Sequence, residues 1–299
     1  MKPSTRRAIN QFSVAYSFLG LPLVFLLSFT FLPSFISSIL SFFHYIPGVE
    51  LKFVGFSNYK RMINDQLFWI ALGNSLKYLI VVPLLQLIAF VVAVIVNQPL
   101  RGAGLIRTII YLPVITSIVV VGILWRELLA SEGLINRLLI SFGIISSPIS
   151  WLTNPSLALW AVMSVTIWKG IGYYMVIYLA GLRSISKEFK DAAVLDGASP
   201  WQLHWHITFP LLKPYFVLCT ILSSISALKV FAEVYVLTPG GGVAHSTTTL
   251  LYYIYTTAFG PELDMGYGAT IGIGLALLVA VVSFINFHFF REGGWKYYN

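Results

Sequence analysis

Charge is what this sequence lacks. Only 10% of its 299 residues are Asp, Glu, Lys or Arg, against roughly 25% in soluble domains, and 58% are hydrophobic. Such a chain cannot coat itself with a solvated surface, so an ordinary soluble fold is excluded. Cysteine is nearly absent as well: the single Cys219 lies in an apolar run, which excludes a disulfide framework and a cysteine-based metal site. No G-x-x-x-x-G-K-S/T phosphate-binding loop occurs, so the chain is not expected to hydrolyse ATP itself. No Ser/His/Asp arrangement stands out. His44, His245 and His288 are scattered, and the H-x-H at His204 and His206 has no cysteine nearby to suggest a metal. The net charge of +8 is not gathered into a basic patch interleaved with aromatics, so nucleic acid is not an expected partner.

What the sequence does have is long apolar runs. About 20 apolar residues cross the roughly 30 Å of a bilayer's hydrocarbon, and six stretches qualify, near residues 13–42, 78–96, 108–128, 156–182, 214–237 and 267–290. The first contains Pro22 and Pro33 and is expected to kink or to end outside the bilayer. The charge-free stretch from Ala8 to Phe43 is far longer than the apolar core of a cleaved signal peptide, and the expectation is a retained span. The interval 129–155, with Gly143 and Pro148, is too punctuated for a span, although a short interfacial helix fits around Leu134–Phe142. The fold class is therefore an all-α integral membrane protein, one transmembrane domain over 1–299 with six helices.

Basic residues orient it, because they accumulate on the cytoplasmic side. With the N-terminus inside, the cytoplasmic segments hold Lys2, Arg6, Arg7, Arg101, Arg107, Arg183, Lys187, Lys190, Lys213, Arg291 and Lys296, against Glu188, Asp191, Asp196 and Glu292. The outer segments balance bases with acids. Both termini then lie in the cytoplasm. Trp125, Trp151, Trp295, Tyr111, Tyr297 and Tyr298 fall near interfaces, where aromatic rings anchor membrane proteins.

The longest polar interval, 183–213, falls inside. Ser186 is placed to cap a helix carrying Glu188 in its first turn. Gly197 can end that helix in a left-handed conformation, and Ser199-Pro200 opens a second one. Trp201, Leu203, Trp205 and Ile207 supply large apolar side chains. The alternative is an amphipathic loop lying on lipid headgroups, but helix–Gly–helix with aromatics fits a docking knuckle better.

The order Asp191-Ala192-Ala193, three residues, Gly197, nine residues, then Ile207, Phe209 and Pro210 resembles the signature loop of permease subunits of binding-protein-dependent ABC importers. Further segments are similar to the maltose-type carbohydrate branch, among them FVGFSNYKRM at 53–62, RTIIYLP at 107–113, LAGLRSIS at 179–186, LKVFAEVYVLTPGG at 228–241 and TTTLLYYIYTTAF at 247–259. The resemblance covers nearly all of the chain after about residue 15. It departs at Asp191, where the family usually has Glu, and at Gly242, where Pro commonly follows the two glycines. It implies a type I importer fold with coupling helices that dock into a separate ATPase, through Asp191, Ala192, Ala193, Asp196, Gly197, Ala198, Ile207 and Pro210. It also implies a homologous second permease, two ATPase subunits that bind ATP and magnesium, an extracytoplasmic binding protein, and a bacterial or archaeal inner membrane. No cofactor is expected on this chain. The implied mechanism is ATP-driven alternating access for a sugar. A glycerol phosphate or polyol importer is the alternative, and a secondary transporter is a more distant one, since no internal repeat is visible.

Lys169, Lys229 and Glu233 lie inside expected spans, where ionisable groups usually face a protein interior or an aqueous path. Lys229 and Glu233 are four residues apart, which on one helix would put them on a common face with Ser226 and Val230. Lys169 is followed by Tyr173 and Tyr174, whose rings suit a sugar. These seven residues are candidates for the translocation path; a structural ion pair or contacts to the second permease are the alternatives. Gly268 and Gly272 form a G-x-x-x-G suited to close helix packing.

Overall fold

The structure, a computed structural model, describes Tyr16, residues 18–99 and residues 102–291. Lys2, Arg6, Arg7, Arg101, Glu292, Trp295, Lys296, Tyr297 and Tyr298 lie outside the described residues, as do the side chains of Lys187, Lys190, Trp201, His204 and Arg291. The backbone divides into two compact units, one of residues up to 64 with 254–273, the other of residues 65–253 with 274 onward.

The first unit opens with helix α1, Phe18–Leu40, long and apolar enough to cross a membrane. Pro33 has no N–H to offer the helix ladder. The chain takes a π turn at Leu27–Phe31 just before it and continues without leaving the helix. Ser34 and Ser38 turn their hydroxyls back onto the carbonyls of Thr30 and Ser34, at 2.7 and 2.9 Å. An antiparallel hairpin follows, β1 Phe43–Ile46 and β2 Glu50–Phe53, with Gly48 at positive φ in the turn. Helix α2, Ser57–Asn64, is tied back by Asn58, whose amide donates to the carbonyls of Ser41 and Phe43. In this unit the buried Asp264 accepts from Arg61 at 2.8 Å, and the guanidinium stacks over Tyr267, 3.9 Å from the ring centre. Gly268 lies against Ala258, where a side chain would collide. Gly272 meets nothing within 4 Å, so only half of the G-x-x-x-G packs within the chain.

The second unit carries the bundle. Helices α3 (Gln66–Tyr78) and α4 (Val81–Asn97) run on as one apolar stretch. This span begins at Gln66, earlier than hydropathy places it. The extra turns are polar because they serve a loop: Asn74 donates to the carbonyls of His245 and Thr248, and Ser75 accepts from the amide of Leu250. Helices α5 (Ala103–Ile115) and α6 (Ile118–Leu128) bend by 98° at Thr116–Ser117, so the third expected span is broken. The interfacial helix is α7, Leu134–Ser141. Helix α8, Ala158–Ser184, is unbroken. The signature loop forms α9 (Lys187–Leu195) and α10 (Pro200–Leu203), then winds through a π turn, His204–Thr208, into α11, Phe209–Leu228. A short α12, Ala232–Leu237, follows a break. Helices α13 (Leu250–Phe259) and α14 (Met265–Arg291) complete the chain. Five described helices can each span a membrane, or six spans if the bent α5–α6 pair counts as one.

The core of this unit lies among α4, α8 and α11, where Leu85, Met175, Tyr178, Leu212 and Cys219 are buried. Gln86 sits in it. Its amide donates to Ser223 Oγ at 2.9 Å and to the Cys219 carbonyl at 3.2 Å, while Tyr178 donates to its oxygen at 2.7 Å. Where there is no water, such a bridge fixes the relative register of three helices. Asn136 does the same for the α7 turn. Its amide donates to the carbonyls of Ala130, Ser131 and Ile149, and its oxygen accepts from Ile149 N and Trp151 Nε1. Asn136→Ala orphans this buried set at about 1–3 kcal/mol per unsatisfied group. The purified chain should therefore melt several degrees lower, with tryptophan emission shifted to longer wavelength as Trp151 loosens; an unchanged melting curve would contradict the bridging role.

Candidate coupling surface and intramembrane site

The signature loop is built by its own caps. Ser186 Oγ accepts from the Glu188 amide at 3.2 Å, starting α9. At the other end the Ala198 amide donates to the Ala193 carbonyl at 2.9 Å and the Gly197 amide to Val194 at 3.1 Å. With Gly197 at φ 80° this is a Schellman ending, which requires a left-handed residue. Ser199 and Gln202 then cap reciprocally. Gln202 Oε1 accepts from the Ser199 amide at 2.8 Å, and Ser199 Oγ accepts from the Gln202 amide at 3.4 Å. This is a capping box at the start of α10. The turn between the two helices is thus specified residue by residue from 186 to 202.

Docking needs apolar surface, and the loop leaves it uncovered. Leu195 is 88% exposed, and Phe189, Val194 and Trp205 are exposed too. Asp191, Ala192, Asp196 and Gly197 are exposed beside them, Ala198 and Ile207 are half-buried, and Ala193 turns inward. Asp196, Gly197, Ala198 and Ile207 line one notch with Gln202, Leu203 and His206. Pro210 stands in the first turn of α11, where no intrahelical N–H is needed. Of the loop residues named from sequence, Asp196, Gly197, Ala198 and Ile207 are thus brought together in the notch, Asp191 and Ala192 are exposed on α9, and Ala193 is buried.

The intramembrane candidates are placed differently. Lys229 and Glu233 do not share a helix face. Helix α11 ends at Leu228, Lys229 takes φ −100°, ψ 18°, and Phe231 takes φ −140°, ψ −57°, before α12 restarts with Glu233 in its first turn. The break is held from outside the helix: Thr249 Oγ1 donates to the Val230 carbonyl at 2.8 Å. Lys229 and Ser226 are exposed, Val230 is buried and Glu233 half-buried. The ammonium whose charge acts on Glu233 is that of Lys169. Lys169 itself donates to the Val114 carbonyl at 3.1 Å, at the broken end of α5. One turn above, Thr166 Oγ1 meets Tyr78 Oη at 2.5 Å, and the charge of Glu233 acts on Tyr78 as well. Tyr173 is exposed and Tyr174 buried, their rings edge to face at 5.1 Å. The structure thus groups Lys169 with Glu233 and leaves Lys229 outside the group. Tyr78, Thr166 and the Val114 carbonyl were not anticipated. A lone hydroxyl in an apolar run is a weak signal, and a backbone carbonyl gives none.

The outer Gly-rich loop keeps Gly240, Gly241 and Gly242 at positive φ, with Gly242 at φ 75°, ψ 172°. A proline, fixed near φ −65°, cannot take that place, so the departure at Gly242 belongs to this loop's own path.

Apolar membrane-length helices with a few buried polar side chains between them, and a capped helical knuckle in a polar interval, are the architecture of a membrane-embedded transport subunit. Residues 86–292 match the family described as binding-protein-dependent transport system inner membrane component, and the chain belongs to that family. It is 40% identical over 248 residues to the lactose transport system permease protein LacF of Rhizobium radiobacter, across 82% of this chain and 83% of that one. To the arabinooligosaccharides transport system permease protein AraP of Bacillus subtilis it is 34% identical, across 83% and 79%. A chain of a bacterial alginate ABC transporter, solved in complex with an alginate pentasaccharide-bound periplasmic protein, superposes with a TM-score of 0.81 over 96% of each chain; at 24% identity this shows the shared fold. The protein is accordingly a multi-pass permease of a binding-protein-dependent transporter, not an enzyme.

Removing the capping box should loosen the knuckle without unfolding the bundle. Ser199→Ala with Gln202→Ala costs about 1 kcal/mol of local order. Hydrogen exchange at 201–203 should quicken roughly five-fold while α8 amides are unaffected; equal protection in both proteins would show that the caps do not hold α10.

Proposed function

We propose that this chain is the membrane-spanning subunit of an ATP-driven importer that carries a sugar, of di- or oligosaccharide size, by alternating access. The observation that carries this reading is the knuckle at 186–209, preformed by its caps and exposing Leu195 and its apolar neighbours toward a partner. Apolar side chains at a rigid, self-capped turn suit the groove of another protein, since little conformational entropy is lost on docking. The partner would be an ATPase subunit, because this sequence has no phosphate-binding loop of its own. Two such ATPases, a homologous second permease forming a heterodimer, and an extracytoplasmic sugar-binding protein complete the assembly. The whole chain works as one transmembrane domain, with both termini and the 183–213 loop cytoplasmic, as the distribution of basic residues supports.

The sugar is supported by relatives named for lactose, arabinooligosaccharides and, in Thermococcus litoralis, trehalose and maltose. These three names speak for a sugar rather than for a polyol phosphate. The path would pass the polar group formed by Tyr78, Thr166, Lys169 and Glu233, with Tyr173 and Tyr174 on the same helix as Lys169. Ser226, Lys229 and Val230 border it at the break in the fifth span.

The test is uptake of labelled sugar and ATP hydrolysis in proteoliposomes holding the chain with its co-expressed partners. Gly197→Asp should place a side chain on a φ 80° backbone and a new charge in the knuckle, abolishing uptake while the permease still folds. Uptake indifferent to this substitution, or driven by an ion gradient without ATP, would contradict the proposal.

A further inference from the structure

Two breaks lie at the centre of the second unit, and one unbroken helix runs beside them. The bend between α5 and α6 falls at Thr116–Ser117, the break between α11 and α12 at Lys229–Phe231, and α8 spans Ala158–Ser184 without interruption. The segments beyond the two breaks pack on each other: a Cβ at Gly122 of α6 would lie 2.5 Å from Val236 Cγ1 of α12. Helices α6 and α12 therefore form a pair, each joined to the rest of its span through non-helical backbone.

The last carbonyls of a helix have no N–H partner. In water they would be hydrated, but in hydrocarbon each unsatisfied group costs several kcal/mol. At the end of α5, Thr116 Oγ1 donates to the Leu112 carbonyl at 2.9 Å and Lys169 Nζ to Val114 at 3.1 Å. A cation at that end also meets the negative pole of the helix dipole. The reach is made possible one turn along α8, where Gly172 lets the α5 backbone come close. A side chain at 172 would collide with the Ile110 carbonyl and lie 3.0 Å from Tyr111 Cα. The Lys169-Gly170-Ile171-Gly172 sequence is thus a unit that brings an ammonium to a broken helix end.

Glu233, on the first turn of α12, is a carboxylate on which that ammonium's charge acts. Among the described residues neither Lys169 nor Glu233 belongs to an ion pair within 4.0 Å. The carboxylate lies in the field of the ammonium without touching it. We infer that Lys169 is a positioning residue: it pins the broken end of α5 through the Val114 carbonyl, and Glu233 competes for the same ammonium, so that the α6–α12 pair shifts when Lys169 changes partner. A lysine, with three donors on a flexible four-carbon stem, suits such an exchange. Its use in transport rests on the function proposed above; the pinning itself does not.

The experiment measures distance rather than transport. Spin labels at Val120→Cys on α6 and Val176→Cys on α8, both exposed positions, are read by double electron–electron resonance in the assembled complex in nanodiscs, with the buried Cys219 left in place. The unsubstituted complex should give one narrow distance without nucleotide and a second with ATP. Lys169→Met should add the second population without nucleotide, and Lys169→Arg, which keeps a cation and its donors, should restore the single one. An unchanged narrow distance in a well-folded Lys169→Met complex would overturn the inference. If Lys169→Met fails to fold, Glu233→Met decides: with no acceptor left to compete, the distance should stay fixed on adding ATP, and a normal ATP-driven change would overturn it. A complex that shows these shifts but imports no sugar would sink the proposed function and leave the pin intact.

Discussion

The constraint on which this structure depends is that a backbone inside a membrane has no water to complete its hydrogen bonds. Continuous helices meet it by themselves, as α8 does over its whole length. Every interruption needs a partner from elsewhere. The bend after α5 takes Lys169, the break after α11 takes Thr249, and the loop that reaches back to α3 takes Asn74 and Ser75. These polar side chains are few, and each of the four named here serves a backbone group. That is why a chain with so little charge can still hold broken helices where irregular backbone is otherwise excluded.

The same constraint separates the two ends of the molecule's mechanism. The knuckle at 186–209 lies among polar residues and completes its own bonds locally, through Ser186, Gly197 and the Ser199–Gln202 box, so it is rigid before any partner arrives. The midsection is completed only by contacts between distant segments. Those contacts can be exchanged without unfolding a helix. On the function proposed above, the knuckle would receive the partner's movement and the midsection would answer it.

This division also decides what could be read from the sequence. The knuckle was legible because capping is local: a serine, a glycine and a Ser-Pro at fixed offsets state the backbone they need, while the reciprocal bond from Gln202 to Ser199 went unread. The spans were legible in number from apolar length, and α7 from its short amphipathic run. The breaks were not. The stretch from Lys229 to Leu237 holds no proline or glycine to mark a break, and what holds the end of α11 there is a threonine about twenty residues further on. The pairing of Lys229 with Glu233 was inferred from a spacing of four, which holds only while the helix does. Lys169 was correctly singled out as costly, but its partner is a carbonyl fifty-five positions away, and backbone acceptors leave no mark in a sequence. Gln86, a lone polar residue in the apolar run of the second span, was not singled out, although it bridges three helices of the core. The β1–β2 hairpin was hidden in an interval that looked merely polar.

The central claim is that the self-capped knuckle is the surface on which an ATPase subunit acts, and Leu195, its most exposed apolar side chain, reports on that directly. Leu195→Cys would be labelled with a membrane-impermeant maleimide in inside-out vesicles, first with the permease alone and then with its ATPase partners bound. The account predicts rapid labelling in the first case and strong protection in the second. Labelling at the same rate with the ATPase bound would contradict it, because the knuckle would then be facing nothing.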